Sequence, residues 1–126
     1  MAYKNKPSIV IVDNHDLFRQ AMSKYVPYAG YTVLIEATVG RHFLDQLRTA
    51  QTLPDVCFLD TDMPVMDGYQ TAILLRRQYP AIKIIAMTTF EETLKKDTLL
   101  SNGADAFLSK SMPTEIWLEK IKEVFP

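Results

Sequence analysis

Short apolar runs recur along the chain, and four of them end in polar residues that can bind a metal ion or a phosphate. The runs and the residues that close them are 9–12 with Asp13 and Asn14, 56–59 with Asp60, 84–87 with Thr88, and 106–109 with Lys110. Continuous apolar runs of this length, separated by helix-like segments, are typical of parallel strands buried on both faces. Because the functional crevice of such a sheet lies at the carboxyl ends of its strands, we expect these polar side chains to converge if the strands are neighbours.

The segments between the runs carry apolar residues at helical spacing. The first predicted helix has one apolar face, formed at spacings of three and four residues by Phe18, Ala21, Met22, Tyr25 and Val26. Further helices are predicted over residues 41–50, from Gly68 to Tyr79, over residues 91–102 and after Pro113. The helix over residues 91–102 has few apolar residues, so it should be weakly held. The remaining strand, residues 31–37, is more polar than the others, as suits a sheet edge.

The order of these elements predicts the fold class. Five strand–helix repeats with short connections indicate an α/β fold of three layers around a parallel five-stranded sheet. The repeats occupy residues 7–126 as a single domain, without a repeat of larger period or an interdomain linker.

Composition excludes several classes of function. The chain has 126 residues and a formal net charge of −1, which gives no global signal for nucleic acid or an anionic membrane. No apolar stretch approaches the ~20 residues that span a bilayer, and the polar first residues do not resemble a signal peptide. We therefore expect a cytoplasmic protein without direct contact to nucleic acid or membrane.

Two carboxylates at neighbouring strand ends suit a hard divalent cation. Mg²⁺ prefers oxygen ligands from one or two carboxylates together with waters and phosphate, so we predict that Asp13 and Asp60 bind it, with a backbone carbonyl just after Asp60. Thr88 could donate a hydrogen bond to a phosphoryl oxygen, and Lys110 could neutralise the charge of a phosphorylated product. Asp60 is the predicted nucleophile because its strand looks central and the loop after it leaves it accessible.

A lone aspartate at a strand end is usually a turn or a helix cap, so the predicted phosphoryl site rests on the joint fit of Asp13, Asp60, Thr88 and Lys110.

The two histidines and the cysteine receive no role. His15 could be a metal ligand, but a histidine in the first turn of a helix is more often surface. His42 has no plausible partner, and Cys57 inside an apolar run is predicted to be a small core residue.

Four motifs carry a resemblance to a known family. They are Val-Asp-Asn-His at 12–15, Leu-Asp-Thr-Asp-Met-Pro-Val-Met-Asp-Gly at 59–68, Met-Thr-Thr at 87–89, and Gly-Ala-Asp-Ala-Phe-Leu-Ser-Lys at 103–110. With them the chain, over about residues 7–125, resembles the receiver domain of bacterial two-component response regulators. The resemblance implies a flavodoxin-like (βα)5 fold of strand order 2-1-3-4-5. It also implies that Asp60 accepts a phosphoryl group from a sensor histidine kinase.

The resemblance extends to metal binding, where the chain departs from the family pattern. The family normally has two acidic residues at positions 13 and 14, of which the second is usually the direct ligand. Asn14 offers a neutral oxygen, so Mg²⁺ binding should weaken without vanishing. The remaining predicted ligands are Asp13, Asp60 and the backbone carbonyl of Asp62.

Signal transmission is also implied by the resemblance. Thr88 is expected to move toward the phosphoryl group, and Phe107 either swings inward behind it or stays permanently buried. The expected contact surface, residues 88–125, lies on the predicted helix at 91–102, the last strand and the last helix. A homodimer through this face is one expectation.

A second departure points to a subgroup. Ser111 follows Lys110 where the family often has a cis proline, and together with residues 14–19 it resembles receivers that precede a LuxR-type helix-turn-helix. We expect either a stand-alone domain or a DNA-binding output domain beyond Pro126; the abrupt end favours a truncated chain.

Two other classes of protein share part of this pattern. A phosphatase of the haloacid dehalogenase type also has an Asp-x-Asp after a strand, which residues 60–62 match. Its nucleophile normally follows the first strand, however, and this chain has no room for a cap. A receiver-like binding module without phosphorylation is supported only by Asn14, and the retained Asp60 argues against it.

Overall fold

The computed structural model describes residues 6–61, 68–89 and 103–126, which form five strands and four helices. The strands are β1 (Ser8–Val12), β2 (Thr32–Ala37), β3 (Val56–Asp60), β4 (Lys83–Thr88) and β5 (Ala106–Ser109). The helices are α1 (Asp16–Tyr28), α2 (Gly40–Thr49), α3 (Gly68–Gln78) and, last in the chain, α4 (Thr114–Val124). The helix predicted over residues 91–102 and the carbonyl of Asp62 lie outside the described residues.

The strands form one parallel sheet of order β2-β1-β3-β4-β5. The predicted α/β class, the strand order and the position of the second strand at an edge are therefore confirmed. The order places β1 and β3 side by side, and β4 lies next to β3. The four positions expected at the crevice, Asp13, Asp60, Thr88 and Lys110, thus stand at the carboxyl ends of four consecutive strands of the sheet.

Alternation along the strands divides the core into two layers, because successive side chains of a strand point to opposite faces. On one face, Val10 of β1 and Cys57 of β3 pack with residues of α2 and α3 such as Phe43 and Leu75. On the other face, the side chains of β1 and β3 pack with α1 and α4. This second cluster includes Ile9, Ile11, Met22, Val26, Phe58, Trp117 and Ile121.

The predicted apolar face of α1 is correct except at one position. Met22 and Val26 are buried and Phe18 and Tyr25 are partly buried, whereas Ala21 is exposed. Ala21 lies at the margin of the stripe, where the small methyl group gains little from packing on the sheet.

Cys57 is completely buried in β3. Burial without a compensating charge raises the pKa of the Cys57 thiol far above its usual range, because the thiolate would lose its hydration. The thiol therefore stays protonated and unreactive, as the sequence predicts for a core residue. Among the described helices, none has the length and apolar character that crossing a membrane requires.

We expect replacement of Phe58 by alanine to reduce the free energy of unfolding by about 3–5 kcal/mol, because the ring is completely buried between β3 and the α1–α4 layer. Tyr28→Ala is the matched aromatic control, since Tyr28 is 91% exposed. It should change stability by no more than about 0.5 kcal/mol. Urea unfolding followed by circular dichroism measures both. Equal losses in the two variants would contradict the assignment of Phe58 to the core.

Candidate functional site

The candidate site is built where the backbone ladders of the sheet continue one residue past their strands. Asp13 N donates to Ala37 O at 2.9 Å, and Lys110 N donates to Thr88 O at 2.8 Å. Thr61 N donates to Met87 O at 3.0 Å. The residues at the strand ends are therefore held by sheet hydrogen bonds, which fixes the direction of their side chains.

Register brings the two carboxylates together. Val12 of β1 pairs with Leu59 of β3, so Asp13 and Asp60 are the next residues along two adjacent strands. Both side chains are completely buried. Buried carboxylates are rare without a cation or several hydrogen-bond donors, because removing their charge from water is costly.

Lys110 supplies a positive charge between these carboxylates. Its Nζ lies 2.8 Å from Asp13 Oδ2 and 3.4 Å from Asp60 Oδ2. Only 7% of the Lys110 side chain is exposed, and its ammonium also lies 4.9 Å from the centre of the Phe18 ring. The ring face attracts the cation weakly and shields it from water on that side.

His15 forms the rim of the site. The backbone N of His15 donates to Asp13 Oδ1 at 2.8 Å, an Asx turn that leads into α1. This turn brings the ring back over the carboxylates: Nδ1 lies 3.3 Å from Asp13 Oδ1, 3.7 Å from Asp60 Oδ2 and 2.8 Å from Lys110 Nζ. The side chain is 53% exposed, so it borders solvent.

Arg19 holds the same turn from the next turn of α1. Its Nη1 donates to Asp13 O at 2.9 Å, while Nη2 pairs with Asp16 at 2.9 Å. The guanidinium thus fixes the backbone between β1 and α1. This role of Arg19 is not evident from the sequence, because its contact is to a backbone oxygen and leaves no signature in residue spacing.

The residues fit a divalent cation. Asp13 Oδ2 is buried and accepts no hydrogen bond of acceptable geometry from the described part of the chain, although it ion-pairs with Lys110. Ligand atoms of Asp13, His15 and Asp60 lie within 4.8 Å of one another. Carboxylate oxygens at this separation are a donor set suited to Mg²⁺ or a related ion.

Thr88 and Phe107 lie in the adjoining part of the sheet. Thr88 ends β4 one residue after Met87, the partner of Asp60, and is completely buried. Phe107 of β5 pairs with Ala86, is 7% exposed and packs with the layer that contains α2 and α3. Thr88 therefore ends the strand next to β3, while its contact with a phosphoryl group and any movement of Thr88 or Phe107 stay predictions.

Asn14 follows Asp13 and is partly exposed, and its role as a metal ligand stays a prediction. His15 is the residue that the sequence undervalued. Its signal is the spacing Asp-x-His at the start of a helix, since an Asx turn folds the third residue back toward the first carboxylate.

Comparison with known proteins identifies the class of domain. The sequence model of the response regulator receiver domain matches residues 9–122, so the chain belongs to the response regulator receiver family. It is therefore a signalling domain of the kind found in two-component systems, related to receivers of NarL- and LuxR-type regulators.

Individual relatives agree with this assignment. The chain is 31% identical to the response regulator GacA of Pseudomonas aeruginosa over 93% of its own length and 54% of GacA. It is 27% identical to the nitrate/nitrite response regulator NarL of Escherichia coli, over 98% of this chain and 56% of NarL. The chain thus spans about half the length of these curated relatives.

Solved structures with the same fold include two receivers of different kinds. The chemotaxis protein CheY4 of Vibrio cholerae aligns with a TM-score of 0.86 at 30% identity, over 96% of this chain and all of that chain. A DNA-binding response regulator of the LuxR family from Staphylococcus aureus aligns with a TM-score of 0.85 at 27% identity, over 94% and 98% of the two chains.

Gly68 provides a test of how the acidic pair is positioned. A Cβ at this first residue of α3 would lie 2.5 Å from Asp60 O and 2.6 Å from Thr61 Cα. We expect Gly68→Ala to lower the free energy of unfolding by roughly 1–3 kcal/mol, because the backbone after β3 must shift. Amide chemical shifts of Asp60 and Thr61 should change as well.

The control for Gly68→Ala is Arg77→Ala, at an exposed position of the same helix. It should leave stability within about 0.5 kcal/mol of the parent. Full stability of Gly68→Ala, with unchanged shifts at Asp60, would show that the approach of α3 to β3 is not as close as described.

Proposed function

We propose that this chain is the phosphoacceptor domain of a two-component system and that Asp60 accepts the phosphoryl group from a sensor histidine kinase. The observation that carries the proposal is the Asp60 carboxylate, held at the end of β3 beside Asp13 with Lys110 Nζ 3.4 Å away. This arrangement combines a nucleophilic oxygen with a cation that can stabilise the negative charge of the product. Membership in the receiver family supports the same role.

The chemistry is a phosphoryl transfer. An Asp60 carboxylate oxygen forms a bond to phosphorus while the P–N bond of a phosphohistidine breaks, and the leaving imidazole keeps the electron pair and gains a proton. Lys110 can pair with the phosphoryl oxygens after the transfer, and Thr88 can donate a hydrogen bond to one of them. The chain thus assists its own phosphorylation and dephosphorylation and turns over no separate substrate.

A divalent cation completes the proposed site. Asp13, Asp60, Asn14 and the carbonyl of Asp62 would hold Mg²⁺, with Asp62 lying outside the described residues. When bound, the ion reduces the repulsion between the carboxylate and an anionic phosphoryl donor. Asp13 serves as a ligand, and its buried position keeps its orientation independent of solvent.

Transmission is proposed to begin at Thr88. The hydroxyl of Thr88 can bind a phosphoryl oxygen only when Asp60 is phosphorylated. This contact supplies the difference in free energy between the phosphorylated and unphosphorylated states that any switch needs. Phe107 then repacks or stays in place, and residues 88–125 present the changed surface. Partners proposed for it are a second copy of the chain and a C-terminal DNA-binding domain, since the relatives are about twice as long.

Replacement of Asp60 by asparagine tests the proposed phosphoacceptor. Incubation with acetyl phosphate and Mg²⁺ should add the mass of one phosphoryl group to the protein of parent sequence and none to Asp60→Asn. Asp45→Asn, at an exposed carboxylate of α2, is the matched control and should be modified fully. Intact-mass spectrometry measures all three, and equal modification of the Asp60 variant would overturn the assignment.

The Asn14 position tests the predicted metal ligands. Asn14→Asp should tighten Mg²⁺ binding several-fold, because a charged oxygen replaces a neutral one. Gln20→Glu adds the same charge at an exposed position of α1 and controls for a general electrostatic effect. Isothermal titration calorimetry measures both. Unchanged or weaker binding in Asn14→Asp would show that residue 14 is not a ligand.

A further inference from the structure

The Nδ1 atom of His15 lies close to the charged groups of the proposed metal site, although its side chain is 53% exposed. Its Nδ1 contacts the same ammonium that contacts both carboxylates, at 2.8 Å from Lys110 Nζ. We propose that His15 Nδ1 is a third protein ligand of this site and that it makes the site selective for ions that accept nitrogen, such as Ni²⁺ and Zn²⁺. This inference rests on the metal site described under the proposed function.

The contact to Lys110 decides which tautomer of His15 the geometry requires. An ammonium has three donors and no acceptor, so Nδ1 must accept and the ring proton must lie on Nε2. The Nδ1 lone pair therefore points into the site. A metal ion binds histidine through such a lone pair.

The surroundings of Nδ1 favour a cation. Nδ1 lies 3.3 Å from Asp13 Oδ1 and 3.7 Å from Asp60 Oδ2, both of which are acceptors when ionised. Three acceptor atoms thus face one another, and Lys110 Nζ is the cation that now contacts all three residues. A divalent ion bound among the same three atoms would supply two positive charges where the Lys110 ammonium supplies one.

Hydrogen bonds to the backbone hold the His15 ring close to the carboxylates. The Asx turn between His15 N and Asp13 Oδ1 fixes the residue relative to the carboxylate, and Arg19 holds the carbonyl of Asp13. A histidine that merely covers the surface needs neither contact. A second observation is the buried Asp13 Oδ2, whose partner is the Lys110 ammonium 2.8 Å away, so this oxygen already binds a cation in the site.

Ligand chemistry then predicts the selectivity. Mg²⁺ is a hard ion that is bound through oxygen, so an imidazole contributes little to its affinity. Imidazole suits Zn²⁺, Cu²⁺ and Ni²⁺. Any oxygen site binds Ni²⁺ more tightly than Mg²⁺. The informative quantity is therefore the decrease in the ratio of Ni²⁺ affinity to Mg²⁺ affinity when the His15 ring is removed.

The test compares His15→Ala with His42→Ala in untagged protein without a phosphoryl donor. His42 is the other histidine of the chain and is exposed on α2, so it controls for adventitious binding. Calorimetric titration should show Ni²⁺ affinity reduced at least tenfold in His15→Ala, with Mg²⁺ affinity within twofold of the parent. His42→Ala should retain both affinities.

A second readout reports the ligand atom directly. In protein with ¹⁵N-labelled histidine, Zn²⁺ should shift the Nδ1 resonance of His15 and leave that of His42 unchanged. Unchanged Ni²⁺ affinity in His15→Ala, equal loss of Ni²⁺ and Mg²⁺ affinity, or a Zn²⁺-induced shift that is larger at Nε2 than at Nδ1 would each overturn the proposal. Because no phosphoryl donor is present, such a result leaves the phosphorylation of Asp60 to its own test.

Discussion

The burial of two carboxylates beside each other is the constraint on which this site depends. Ligand atoms of Asp13 and Asp60 lie within 4.8 Å of each other, and two like charges at that distance repel by roughly 3–4 kcal/mol at an effective dielectric constant of about 20. Lys110 offsets part of this repulsion from between the two groups. Both carboxylates are fully buried, so water cannot replace that cation. A site with this imbalance favours binding of further positive charge, which agrees with a divalent ion.

The sheet separates the charged groups from the residues proposed to transmit the signal. Asp60 follows Phe58 by two residues and Lys110 follows Leu108 by two, so both lie on the side of the sheet that packs against α1 and α4. Thr88 and Phe107 have the opposite parity, and Phe107 packs on the side of α2 and α3. A change at Asp60 that reaches Phe107 must therefore cross the sheet at the end of β4. Thr88 is the residue at that crossing.

His15 and Lys110 affect the chemistry of the acidic pair in different ways. Lys110 directly follows β5, which is separated from β1 by β3 and β4, and its long side chain reaches back to Asp13. His15 comes from the turn directly after β1 and is brought in by a local hydrogen bond. A metal ion bound at the carboxylates would compete with the ammonium for Asp13 Oδ2, whereas His15 Nδ1 would donate its lone pair to that ion. These roles explain why one site can include both a lysine and a histidine.

The sequence determined the architecture and most members of the site, because both depend on local pattern. Apolar runs four residues long predicted the strands. Because parallel strands bring their carboxyl ends to one edge, Asp13, Asp60, Thr88 and Lys110 were predicted to converge if their strands are neighbours. Strand order came from resemblance to a family, since residue spacing does not say which strands are neighbours. The tertiary structure alone decided the approach of Lys110 to both carboxylates and the return of the His15 ring over Asp13. The contact of Lys110 with the carboxylates joins residues far apart in the chain. The position of the His15 ring depends on an Asx turn whose direction is set only when β1 and α1 are packed.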